Sequence, residues 1–145
     1  MKKTVILLLL FVLSSCHQKI TQQDITKING YWEIEKVNLP NGTEKKYTIN
    51  ETYDYFEIKG TSGFRKKVNP QLNGRFLVNN QSEKVSISYE KDKTFLVYKT
   101  PFANWKEEII SLEDQKMVLI NSAKMEYTYK KAGPINLLEN GKKTE

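Results

Sequence analysis

The feature that most limits the folds open to this chain is its pattern of turns. From Gly30 onward, short runs rich in Tyr, Phe, Val, Ile and Thr alternate with Asn-Gly, Asn-Pro, Lys-Gly, Asn-Asn and Lys-Asp pairs. Turn pairs that recur roughly every eight to twelve residues leave room for short strands joined by hairpins. Two runs alternate strictly: Val85, Ile87 and Tyr89 against Lys84, Ser86, Ser88 and Glu90, and Met125, Tyr127 and Tyr129 against Lys124, Glu126, Thr128 and Lys130. A strand of that period has one buried face and one wet face. No run keeps a helical period over about ten residues, so a long helix is not expected.

The expected strands are Gly30–Asn38, Tyr53–Lys59, Gly63–Asn69, Gly74–Asn79, Lys84–Glu90, Thr94–Thr100, Trp105–Leu112, Lys116–Asn121 and Lys124–Lys131, with a short tenth at Glu44–Ile49. Links such as Asn121-Ser122-Ala123 are too short for anything but a hairpin, so the topology is a meander. A meander of this length removes its exposed edges by closing, which makes the expected fold an all-β, antiparallel up-and-down β-barrel of about eight to ten strands. Phe95–Tyr98 and Met117–Ile120 are apolar on both faces and are expected to carry a covering layer on each side. After Gly133-Pro134 the pattern fades into Ile135-Asn136-Leu137-Leu138 and a polar end.

With 145 residues, 39% of them apolar, the chain has material for one such domain. Its single Cys and single His are the neighbours Cys16 and His17, so the body of the chain lacks the parts of a four-ligand zinc site or of a Cys–His or Ser–His pair. The formal charge of +6 is spread along the chain and not gathered into one block, which does not suggest a nucleic-acid binder.

Before Cys16 stands a different kind of segment. Met1-Lys2-Lys3 is positive and Thr4 to Leu13 is almost wholly apolar, far short of the roughly 20 residues that span a bilayer. Leu13-Ser14-Ser15-Cys16 resembles the bacterial lipobox. That resemblance implies a lipoprotein signal peptide over residues 1–15, acyl chains on Cys16, a lipidated tether over 16–28, the barrel over 29–131 and a tail over 132–145. The alternative is an ordinary secretory signal beside an unrelated thiol. His17, where an Asp would retain a lipoprotein at the inner membrane, implies the outer membrane, and the periplasmic face is the expected side. Within the tether, Gln22–Ile28 is expected to form one helical turn.

Directly after that turn, the first strand opens with Gly30-Tyr31-Trp32, and the second half of the chain runs through Trp105-Lys106-Glu107-Glu108-Ile109-Ile110, Met117-Val118-Leu119 and Tyr127-Thr128-Tyr129-Lys130. From about Ile28 to Lys131 the chain resembles the lipocalin-like proteins of bacterial envelopes, a calycin-type fold. The resemblance implies that Gly30 and Trp32 close the barrel floor. In many lipocalins an Arg on the last strand lies across this Trp; here the only arginines are Arg65 and Arg75, so Lys130 or Lys131 is expected to take that place. It also implies binding or carriage of a small hydrophobic molecule, with no cofactor and no metal.

Eight Tyr, six Phe and two Trp supply apolar walls with hydroxyl handles. The ligand-lining candidates are Tyr55, Phe64, Phe76, Tyr89, Tyr98, Trp105, Tyr127 and Tyr129; the alternative is that these side chains simply fill the core. Neighbours Glu107 and Glu108 point to opposite faces of a strand, and Glu33 and Glu35 share one face; all four are expected on the solvated outside. No catalytic residue is assigned and the chain is not expected to be an enzyme. Phe64-Arg65-Lys66-Lys67 is the strongest basic cluster, with a phosphate backbone or an anionic headgroup as its conceivable partners, but a strand splits those charges between two faces. Asn41-Gly42-Thr43, Asn50-Glu51-Thr52 and Asn80-Gln81-Ser82 fit a glycosylation triplet and are read as turns. Two other readings stand beside the carrier: a solid barrel that binds an envelope protein, and a hydrolase built on paired carboxylates.

Overall fold

A computed structural model describes residues 19–133. Cys16, the segment before it and Ile135–Leu138 lie outside the described residues. Ten strands follow a short 3₁₀ helix at Asp24–Ile28: β1 Gly30–Asn38, β2 Glu44–Lys46, β3 Tyr53–Lys59, β4 Ser62–Pro70, β5 Phe76–Val78, β6 Glu83–Glu90, β7 Lys93–Lys99, β8 Asn104–Leu112, β9 Lys116–Asn121 and β10 Glu126–Lys131. Every pairing is antiparallel. β10 returns to pair with β1, from Trp32↔Lys131 to Asn38↔Glu126. That contact closes a barrel of eight strands, β1, β3, β4 and β6 to β10.

The two three-residue strands explain how the barrel opens at one end. β1 pairs with β3 through Gly30–Trp32 and with β2 through Lys36–Asn38, on the same edge. Likewise β4 pairs with β6 through Ser62–Arg65 and with β5 through Val68–Pro70. At two places the wall therefore changes partner half-way up, and its upper part is built from short flaps and loops. The run Gly74–Asn79, expected as a full strand, shrinks to β5 because Asn73-Gly74 turns the chain back on β4 for only three pairs.

Two bulges correct the strict alternation that a sequence pattern assumes. In β1 the register slips between Ile34 and Lys36, so the inward set is Trp32, Ile34 and then Val37. In β8 it slips between Ile109 and Ser111, so Trp105, Glu107 and Ile109 are followed inward by Leu112. An extra residue flips every later side chain to the other face while bending the strand, which helps a sheet to curl shut.

The closed end is apolar. Ile20, Ile25, Ile28, Trp32, Ile58, Ile87, Leu112 and Met117 belong to one buried cluster. The helix beneath them starts at a reciprocal pair, Thr21 N and Oγ1 donating to Asp24 Oδ2 at 3.0 and 2.7 Å, and Asp24 N donating back to Thr21 Oγ1 at 3.3 Å. Lys27 also bonds Asp24, and these contacts hold the Asp24 carboxyl well below the usual range. Asn29 then sews the helix to β3: its amide donates to Ile58 O at 3.0 Å and its carbonyl accepts from Ile58 N at 2.6 Å.

Gly30 makes the corner from helix to strand at φ +112°, where an L side chain is strained, and an added Cβ would stand 3.2 Å from Lys131 Cε. Trp32 follows, fully buried, with its indole N–H donating to Ile28 O at 2.6 Å. Lys131 lies across it, Nζ 4.3 Å from the ring centroid, and donates to Lys27 O at 2.7 Å and to Asn29 O. Of the two lysines expected there, Lys130 instead faces outward to Glu33, at 2.6 Å.

Candidate functional site

Strand order places the ends of β1, β4, β7 and β9 and the starts of β3, β6, β8 and β10 around the open end. Inward positions just below this mouth are not apolar. β3 turns Asp54 inward with Phe56 and Ile58, and β4 turns Arg65 and Lys67 to the same side as their partners Phe56 and Asp54. β8 adds Glu107 from between Trp105 and Ile109, and β7 adds Tyr98.

These groups form one cluster. Arg65 is only 7% exposed, its Nε donates to Glu83 on β6, and its Cζ lies 4.3 Å from the centre of the Tyr98 ring. Trp105 stacks on the same Tyr98 ring, centroids 5.0 Å apart at 12°. Lys67 Nζ is 2.5 Å from Asp54 Oδ1. Burial raises the Glu107 carboxyl above its ordinary value, against the opposing pull of Tyr98 and Arg65. Burial likewise pushes the Tyr98 and Tyr129 hydroxyls well up. Tyr98 and Glu107 are near enough to influence one another, yet among the described residues neither the Tyr98 hydroxyl nor Glu107 Oε2 closes a hydrogen bond of full geometry. Buried polar atoms left in that state are costly, and their place under an opening makes this cluster the candidate site.

Above the cluster lies a cavity of about 490 Å³ between the β4 wall, the loop entering β6 and the β7–β8 turn. Arg65, Lys67 and Glu83 contribute charge to it, Asn80 an amide, and Pro101 and Phe102 an apolar lip. The volume lies within the common range of small-molecule sites, about 300–1,000 Å³. A second cavity of about 510 Å³ lies elsewhere and is lined mainly by charged groups, among them Lys36, Glu44, Lys46 and Lys130, which are held in ion pairs.

The sequence-derived candidates divide. Tyr98, Trp105, Tyr127 and Tyr129 are inward, the last two opposite Leu119 and Met117. Tyr55, Phe64 and Phe76 are not interior: β3 and β4 direct Asp54, Phe56, Arg65 and Lys67 inward, so their alternate residues face out. There they join Tyr31 in an outer aromatic layer, with Tyr31 stacked 4.0 Å from Phe76 and 4.7 Å from Tyr55, and Phe64 6.1 Å from Tyr55. Tyr89 sits on the inward register at the closed rim opposite Thr94, half exposed. Gly30 and Trp32 are at the floor, as described.

Glu107 and Glu108 also depart from expectation. Both are buried: Glu107 faces inward, and Glu108, though outward, pairs with Lys93 at 2.7 Å. The inward position of Glu107 was legible as the residue between Trp105 and Ile109 on one face; what hid it was the rule that charge stays outside. Asp54 and Phe102 carried no sequence signal, since an Asp in a strand and an aromatic in a turn have no periodic neighbours to betray them. The doubly apolar runs have no second layer over them among the described residues; Phe95 and Val97, outward on β7, and Val118 and Ile120, outward on β9, are half-buried, with Lys106 lying 4.2 Å over the Phe95 ring.

Comparison with known proteins adds the following. Solved structures similar to this chain include a lipocalin-like protein from Bacteroides uniformis, 10% identical over 73% of this chain and 99% of that one at a TM-score of 0.47. An uncharacterized protein from Bacteroides eggerthii is 12% identical over 72% and 98% at a TM-score of 0.46. No match was found among curated proteins. The family model of the lipocalin-like domain matches residues 28–119, from the floor helix through β9, and by that match the chain belongs to the lipocalin-like domain family.

Proposed function

We propose that this protein is a lipid-anchored member of its family that binds or carries a small, largely hydrophobic molecule in the bacterial envelope and performs no chemistry on it. The observation that carries the reading is the mouth cavity of about 490 Å³, with an apolar lip above and polar side chains at its base. Beneath it, Tyr98 and Tyr129 are buried in the core with Trp105 and Tyr127 packed against it, and none of the four lines the cavity.

The anchor on Cys16 fits this arrangement. Ile20 is buried in the floor cluster, and four residues of chain reach at most about 14 Å. A lipidated Cys16 would therefore hold the closed end toward the bilayer and present the mouth away from it, on the periplasmic side of the outer membrane. Native mass spectrometry of the full chain extracted from its own envelope tests the reading. A stoichiometric small-molecule adduct and acyl mass on Cys16 are expected. An empty protein that also fails to bind fatty acids, isoprenoids and haem-like compounds would overturn the carrier reading.

One observation favours a second reading, docking to an envelope protein. Five large apolar side chains are exposed on the loops and short strands of the open end: Ile49, Leu72, Leu77, Val78 and Phe102. Exposed apolar groups concentrated at one end mark interaction surfaces. Crosslinking that retrieves one partner, lost on Phe102→Lys and Leu72→Lys, would favour it.

A further inference from the structure

Resting on the ligand-binding reading of the mouth, we infer that the cavity selects a ligand with an anionic oxygen head group, a carboxylate or phosphate, held by the outer edge of the Arg65 guanidinium. The argument begins with what Arg65 does not use. A guanidinium offers five N–H donors in a planar fork. Among the described residues its one hydrogen bond runs from Nε to Glu83, and the two Nη groups have no protein acceptor. Arg65 nevertheless lines the cavity while being 7% exposed. Donors held at the base of an opening, stripped of most water and left unpaired, gain more from an incoming acceptor than donors already solvated.

The fork is also held in one orientation. Glu83 fixes its Nε edge, and the faces of Tyr98 at 4.3 Å and Trp105 at 5.9 Å bound it on the interior side. A planar donor fixed in this way is matched to two oxygens of one carboxylate or phosphate group, and the bond is stronger than one to a neutral oxygen. Lys67, already paired with Asp54 at 2.5 Å, stands two residues along the same inward face with its side chain half exposed.

Three carboxyls stand near, and each is accounted for. Asp54 is neutralised by Lys67 at 2.5 Å, Glu83 by Arg65, and Glu107 is driven by burial toward its uncharged form. The four paired charges balance, so the preference for an anion rests on the unused Nη donors and not on an excess of positive charge. Opposite it, Pro101 and Phe102 provide the apolar lip against which a hydrocarbon body would lie.

The test uses the full chain in non-ionic detergent, with empty micelles as the blank, titrated with octanoate, octyl phosphate and 1-octanol while tryptophan fluorescence is followed. At least one of the two anions is expected to bind about tenfold or more tighter than the alcohol, as a charge-assisted bidentate contact requires. Whichever anion is preferred names the head group. Arg65→Met should reduce the anions to the affinity of octanol and leave octanol unchanged. Should that variant fail to fold, Arg65→Lys keeps the charge without the fork, and it should still lose most of the preference; Lys67→Gln should lose a smaller part. Equal affinity for all three probes overturns the head-group inference and leaves the carrier reading standing. Failure of all three to bind overturns both.

Discussion

The two ends of this barrel are built on opposite principles. At the floor, Trp32, Ile25, Ile28, Leu112 and Met117 are almost completely removed from water, and the polar groups beside them have partners: the indole N–H bonds Ile28 O, and Lys131 Nζ bonds the carbonyls of Lys27 and Asn29. At the mouth, Arg65, Glu107 and Tyr98 are nearly as buried, yet the Tyr98 hydroxyl and Glu107 Oε2 lack a full hydrogen bond and large apolar side chains stand in solvent just above. The floor satisfies both rules of a stable interior, apolar burial and polar pairing; the mouth breaks both. Local rules are expected to fail where function needs them broken, and the contrast is what makes the mouth the candidate site.

The contrast can be broken most severely from the floor. Trp32→Ala removes a fully buried side chain and should cost about 3–5 kcal/mol, read as a lower urea midpoint by circular dichroism. If the loss were below about 1 kcal/mol, the floor would not be the stabilising end. Lys131→Met should cost less, about 1–3 kcal/mol, because Lys27 O and Asn29 O lose a partly buried donor while the aliphatic stem still covers Trp32.

A change at Glu107 should act with the opposite sign. Its folded-state carboxyl is raised by burial, so in the pH window above the ordinary carboxylate value of 4.5 the native state holds a proton that the unfolded state has released. Stability contributed by this group is full below that value and is lost as pH rises through the raised one. Glu107→Gln should therefore flatten the fall in melting temperature between acid and neutral pH. A variant whose pH profile parallels the parent would show that Glu107 is not held toward its neutral form.

The smallest effect on stability is expected at the lip. Phe102 is 95% exposed, so Phe102→Ser should shift folding free energy by no more than about 0.5 kcal/mol. The same substitution should weaken binding of an octyl probe, measured by fluorescence titration. Stability and binding are thus expected to separate at the mouth and to coincide at the floor.

Much of the scaffold was readable in advance. Gly30–Asn38, Tyr53–Lys59 and Lys116–Asn121 match the observed strands residue for residue, because turn pairs and alternation are local signals. The floor was expected only through the family resemblance of Gly30-Tyr31-Trp32, which also placed Lys130 or Lys131 over the Trp. Less readable was which face of β3 and β4 is inside. Tyr53, Tyr55 and Phe64 outweigh Asp54, Arg65 and Lys67 on any hydrophobic scale, yet the aromatics are outside, in tilted contacts with one another and with Phe76, which stacks on Tyr31.

What the sequence determined by itself is therefore the scaffold's parts, strand lengths and hairpin order, set by neighbours a few residues apart, while closure of β10 on β1 and assembly of the floor join residues from both ends of the chain. Tertiary structure alone decided the site. Burial of Arg65 and Glu107 is tolerable only because β4, β6, β7 and β8 bring Glu83, Tyr98 and Trp105 to them across the barrel, and the bulges in β1 and β8 reset which residues those strands turn inward. Charge in a strand looks like surface until the partners that hold it are brought alongside, and that happens only when the sheet closes.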